Sequence, residues 1–161
     1  MKPLLAVIAL SLASLAEAQS IASLGEHPIA FRQLRAVFPE TSVAIESRTD
    51  CRLLKVLLAN NDRQRARGLM FVNDMPADAG MLFVYERSRP LSMWMKNTLI
   101  PLDMLFAAED GVIVTLLSDV PPLTLESRRS ERDATYVLEL NAGAAARLGL
   151  AEGARLHVAP D

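Results

Sequence analysis

The chain has 161 residues, a formal net charge of −2 and an apolar share of 51%, with one cysteine and two histidines. That length suits a single domain burying about two thirds of its unfolded surface, and the near-neutral balance supplies no electrostatic footprint for nucleic acid. The lone Cys51 excludes an intramolecular disulfide, and neither a His- or Cys-rich metal spacing nor a Gly-rich phosphate loop is present.

The chain opens "MKPLLAVIALSLASLAEAQS". A basic start at Lys2, an apolar run from Leu4 to Leu15 and small residues at Ala16 and Ala18 have the build of a secretory signal, residues 1–18, cleaved after Ala18. The run falls short of the roughly 20 apolar residues a bilayer requires. No cysteine follows to take a lipid. The expected product is a soluble chain from near Gln19, periplasmic or secreted, with no stable membrane anchor and an unchanged charge of −2, since one Lys and one Glu leave together.

Residues 19–48 show a weak pattern and are expected to form a variable segment ahead of a single domain over 49–161. Within it, "FRQLRAVFPE" suggests a short helix ended by Pro39. Cys51 to Leu58 is apolar and β-branched, which predicts a largely buried strand with Cys51 as an inert buried thiol. "NNDRQRARG" predicts a short helix with Asn61 as N-cap, Gln64 completing a capping box and Gly68 ending it. "LMFVNDMPADAG" reads as loop because of Pro76 and Gly80.

Four strands are predicted next, at Met81–Tyr85, Leu91–Lys96, Leu102–Ala107 and Val112–Leu117. "EDG" turns between the last two, its Asp-Gly pair supplying positive φ. After a loop marked by Pro121 and Pro122, "TYVLEL" is a strand, "NAGAAARLG" a short helix with Asn141 as its cap and Gly149 as its stop, and "EGARLHV" a final strand. The basic clusters "RQRARG" and "ESRRSERD" carry acidic or amide residues among them, as solvated faces do. The sum is a β-rich α+β domain, a small barrel or rolled antiparallel sheet with two short helices.

Four blocks, "RARGLMF" (Arg65 to Phe71), "GMLFVY" (Gly80 to Tyr85), "WMKNTLIPLDMLF" (Trp94 to Phe106) and "YVLELNAGAAARLGL" (Tyr136 to Leu150), resemble in order the domain-of-unknown-function family 192. The resemblance covers roughly Cys51 to Val158. It implies a small, β-rich, mostly prokaryotic and often exported protein for which no reaction is established. Departures from that pattern are Val72 where members often carry Arg, Met93 for an aromatic, Pro122 for Cys, and Gly153-Ala154 for Gly-Asp.

The stretch "SMWMKNTLIPLDML" carries most of the chemistry. Three polar residues, Lys96, Asn97 and Thr98, and then Asp103 interrupt an apolar run, and a buried ammonium without a partner costs several kcal/mol. Lys96 must therefore reach water or a carboxylate, Asp103 or Glu139. Which one depends on the register of the turn, because a slip of one residue moves Asp103 to the other face.

The residues expected to form a ligand pocket are Arg67, Trp94, Lys96, Asn97, Thr98, Asp103 and Glu139, with a polar brace of the turn as the competing reading. The function expected is that of an uncharacterised exported protein, binding an unknown small molecule or assisting an envelope protein, without a cofactor. Two other readings stay open. Asp103 and Glu139 are candidates for paired carboxylates in a small hydrolase, and Met93 and Met95 have thioether spacing that suits Cu(I). His27 and His157 are expected at the surface.

Overall fold

The computed structural model describes Ala16 and residues 19–47 and 50–158, so the expected leader lies, Ala16 apart, outside the described residues. Residues 19–23 are helical. Then follow β1 (Ile29–Ala30), a 3-10 helix (Phe31–Ala36), β2 (Glu40–Glu46), β3 (Cys51–Ala59), α1 (Asp62–Arg67), β4 (Val72–Asp74) and β5 (Gly80–Arg89). The second half comprises β6 (Ser92–Met93), β7 (Leu102–Ala107), β8 (Ile113–Val120), β9 (Arg128–Arg129), β10 (Ala134–Asn141), α2 (Ala144–Arg147) and β11 (Arg155–Val158).

Seven strands make one sheet in the order β11-β2-β3-β5-β10-β7-β8, and the pairs β1-β4 and β6-β9 form small sheets beside it. The β-rich α+β class holds, and the large sheet is rolled but not closed into a barrel, and mixed where an antiparallel one was expected. β3 pairs with β5 in parallel, Leu57 opposite Met81. A parallel pair needs a crossover, and α1 with β4 supplies it. The edge strands approach one another at an isolated bridge between Val112 and Arg155, so the sheet rolls without closing.

Alternation along the strands divides the interior into two cores. On one face Leu57, Met81, Phe83, Met104, Phe106 and Val137 meet an N-terminal cover that includes Leu34 and Phe38. On the other, Val43, Ile45, Leu82, Leu105, Leu138 and Leu156 pack with Ala144 and Ala145 of α2. With apolar cover on both sides, β7 is buried at all six positions, which is why "LDMLFA" is nearly continuous in its hydrophobicity.

Local signals account for α1. The Asn61 side chain accepts from the Gln64 amide at 3.0 Å, and Gln64 reaches back to accept from the Asn60 amide at 3.1 Å. Gly68, at φ 46°, closes the helix by donating to the Gln64 carbonyl at 2.8 Å. The turn at "EDG" also forms, with Gly111 at φ 84° donating to Ala108.

Several expectations are corrected. The predicted domain start at residue 49 cuts through the sheet, because β2 is one of its inner strands and Val43 and Ile45 belong to the core. Val72–Asp74 is a strand inside the expected loop. The strand predicted over Leu91–Lys96 shrinks to β6, since Asn97 takes φ 55° and Thr98 turns back to donate to the Met95 carbonyl at 3.1 Å. Cys51 is exposed at the outer end of β3. Asn141 does not cap α2; its side-chain amide donates to the carbonyls of Met75 and Pro76, both at 2.9 Å.

Candidate functional site

Two buried carboxylates lie on neighbouring strands, and the register sends them to opposite faces. Leu140 faces Asp103 across the β10-β7 pair and Glu139 faces Met104, so Asp103 points into one core with Leu140 and Leu105 while Glu139 points into the other with Met104 and Met81. They cannot work as a pair, and the two-carboxylate hydrolase reading falls on that geometry.

Asp103 is fully buried and satisfied. One oxygen accepts from the Asp119 amide at 2.9 Å and the other from the Ala145 amide at 2.8 Å. Ala145 lies in the first turn of α2, whose own N-cap, Gly143, has no side chain to offer. Asp103 thus serves from β7 as a remote cap, placing negative charge where orphan amides converge. It is a brace, and it does not meet Lys96.

Lys96 is exposed instead. Its ammonium stands 5.3 Å from the centre of the Trp94 ring, itself 51% exposed. Thr98 behaves as the turn brace expected, its hydroxyl donating weakly to the Lys96 carbonyl at 3.4 Å. Asn97 contributes through its backbone, whose carbonyl accepts from the Phe71 amide at 2.7 Å.

Glu139 is different. Although 4% exposed, its carboxyl has neither a hydrogen bond nor an ion pair among the described residues. It lines a cleft of about 100 Å³ formed by the end of α1 and the loop after it, with Arg67, Tyr85, Met93, Trp94 and Thr98 also on its walls. Burial pushes its pKa up to about 8, so near neutrality it is mostly a carboxylic acid with a proton to donate.

Arg67 shares that wall, and its Nε and Nη2 atoms are buried with no partner. Its guanidinium stacks 5.0 Å from the Phe71 ring, and burial lowers its pKa against a raising influence from Glu26. Arg65, two residues earlier, is by contrast fully engaged, donating to the Val84 carbonyl at 2.7 Å and pairing with Asp62 at 2.6 Å. Buried donors are rarely left unpaired without a reason.

Tyr85 completes the cleft. Its ring lies between the guanidinium groups of Arg65 and Arg89, 5.1 and 5.5 Å away, and its hydroxyl donates to the Met93 sulfur at 3.5 Å. Burial raises its pKa first; Arg65 lowers it, Glu139 raises it and Arg89 lowers it.

The backbone here is also strained. Phe71, Asn97 and Leu123 have φ of 65°, 55° and 60°, and their loops are joined by hydrogen bonds from Phe71 to Asn97 and from Leu123 to Thr98. Such conformations cost free energy and gather at functional sites.

Of the seven residues expected in the pocket, Arg67, Trp94, Thr98 and Glu139 line the cleft. Lys96 and Asn97 line an adjoining groove of about 660 Å³ that shares Arg67 and Trp94 with it, and Asp103 is elsewhere. Tyr85 and Phe71 were missed. Tyr85 shares the parity of Met81 and Phe83 along β5, a signal that becomes usable once Glu139 is known to face Met81.

Met95 is fully buried in the core while Met93 faces the cleft. Both histidines are exposed, His157 pairing with Glu46 at 2.8 Å. Among the described residues no group of three or more His, Cys, Asp or Glu is placed to hold a metal.

The model of a protein family described as "Uncharacterized ACR", DUF192, matches residues 43–158. A solved structure of a proposed transcription regulator from Sinorhizobium meliloti 1021 is 42% identical, with a TM-score of 0.73, covering 75% of this chain and 95% of its own. A protein of unknown function from Novosphingobium aromaticivorans DSM 12444 is 26% identical with a TM-score of 0.74, covering 84% of this chain and 96% of its own. No curated protein gives a match.

Proposed function

We propose, on the premise that this chain belongs to the uncharacterised family DUF192, that it is a binding protein for a small anionic ligand with an apolar portion. The observation that carries this reading is the meeting, in one cleft, of the buried Glu139 carboxyl, which has no hydrogen bond among the described residues, and the Arg67 guanidinium, whose buried Nε and Nη2 have none. A carboxylate or phosphate seated between them would accept from Nε and Nη2 of Arg67 and from the protonated Glu139. The cleft itself holds little more than such a head group, and the adjoining groove along Trp94 gives room for the rest. The leader-like opening of the sequence supports an exported, envelope setting for this activity.

The regulatory description of the Sinorhizobium protein is not carried over, since the net charge of −2 favours no polyanionic partner. Titration calorimetry with short carboxylates and with phosphate tests the proposal. Saturable binding is expected at pH 6 to 7, weaker by about tenfold or more in Arg67→Met, because a charge-assisted hydrogen bond contributes roughly 1.5–3 kcal/mol. Binding should also weaken as pH rises past 8, where an ionised Glu139 repels the anion. Equal affinity in Arg67→Met would remove the reading.

A further inference from the structure

Next to the cleft, three large apolar side chains face water. Trp94, Leu123 and Leu125 are 51%, 62% and 70% exposed. They come from two loops laid side by side, joined by hydrogen bonds from Met95 to Thr124 and from Leu123 to Thr98, at 3.0 and 3.1 Å. Trp94 and Leu125 also share the lining of a small surface pocket with Ser127. Single exposed apolar residues are ordinary; a cluster on adjoining loop tips is not.

Leu123 is the sharper observation. At φ 60° it holds a conformation that favours Gly or Asn, yet its side chain is left in solvent. Neither packing nor local backbone preference selects leucine at this position. A costly residue that stabilises nothing within the fold is explained by something that the fold meets.

The surrounding charge says what that is. Lys96 lies over Trp94, and Arg128 and Arg129 stand opposite Met93 and Ser92 in the β6-β9 pair. Glu126 and Arg128 are bonded at 2.9 Å and offset one another, so the positive charge beside the apolar tips is that of Lys96 and Arg129. Apolar tips carrying a tryptophan and rimmed by cations match the interface of an anionic bilayer, where indole rings settle at headgroup depth and each surface cation adds attraction.

We propose that the Trp94, Leu123 and Leu125 loops form a membrane-contact face that docks the folded protein onto an anionic lipid surface. Docked this way, the cleft at Arg67 and Glu139, which shares the Trp94 wall, opens close to the headgroups. The proposal does not depend on what the cleft binds.

Residues 4–15 are themselves apolar, so sedimentation of the full chain with vesicles decides nothing by itself. Trp94 is the one tryptophan in the sequence, and its emission reports this face directly. With vesicles of phosphatidylcholine containing phosphatidylglycerol, the emission should shift to the blue, less so in high salt and little with phosphatidylcholine alone. Leu125→Asn should weaken that partition by about tenfold, since inserting a leucine contributes on the scale of its hydrophobic transfer. Leu123→Asn should weaken it similarly while unfolding no more easily than the parent, because Asn tolerates the left-handed backbone. The proposal is overturned by an unshifted emission, by an equal shift on neutral vesicles, by variants that partition like the parent, or by a shift that follows protein concentration without lipid.

Discussion

Asp103 and Glu139 are both buried carboxylates, on neighbouring strands, one residue out of step across the sheet. Asp103 accepts two backbone amides and ties α2 and the irregular end of β8 at Asp119 to β7. Glu139 accepts nothing and faces a cleft. Burial alone therefore does not distinguish a structural acid from a functional one; the partners do. The first is taken up by two backbone amides inside the fold, and the second is held protonated where a ligand can reach it.

The largest expected effect would break the contrast from the structural side. Asp103→Ala strips a charged acceptor from two buried amides and should cost about 3–5 kcal/mol, read from urea denaturation midpoints at constant slope. A loss under 1 kcal/mol would mean that the amides of Asp119 and Ala145 find other partners.

Glu139 should respond in the opposite direction. Its folded pKa, about 8, lies above the ordinary value of 4.5, so between those values the folded protein holds a proton that the unfolded chain has released. Stability from this group is therefore complete below about 4.5, falls as pH rises, and is lost above about 8. Glu139→Gln should remove that slope and be the more stable protein at pH 9, by an amount on the order of 2 kcal/mol or more. Parallel pH profiles for the two proteins would refute a protonated Glu139.

Two smaller effects sharpen the comparison. Asn141→Ala gives up two hydrogen bonds to the Met75 and Pro76 carbonyls at a partly exposed site, and a loss of about 1 kcal/mol is expected in the same assay. Arg67→Met should change stability least, within about 0.5–1 kcal/mol, because a stacking contact with Phe71 is lost while two unpaired buried donors are relieved. A destabilisation of several kcal/mol would assign Arg67 to the brace and away from ligand binding.

Much of this was legible in the sequence where the deciding physics is local. The bounds of β7 and the caps of α1 at Asn61 and Gly68 follow from side chains within a few residues of each other. Glu139 could be singled out as an acid inside an apolar strand. Asp103 was placed wrongly because its partners, Asp119 and Ala145, are set by an irregularity near the end of β8 and by α2, and the register before β7 is broken by the left-handed Asn97. The loop pair at Leu123 was silent for a related reason: nothing within "PPLTLES" reveals that Leu123 is bent into a glycine-like backbone.

The bridge between Val112 and Arg155 gives the rolled sheet a seam, and Gly111 is its stitch. A Cβ there would sit 2.0 Å from the Leu156 carbonyl oxygen, so no side chain fits between the two edges. β11 also supplies the outer partner of β2, from the opposite end of the described chain. During synthesis β2 must wait, one side unpaired, until β11 leaves the ribosome and the seam is drawn shut. An early inner strand is thus completed by one far along the chain, and β2 is open to mispairing for as long as β11 has not emerged.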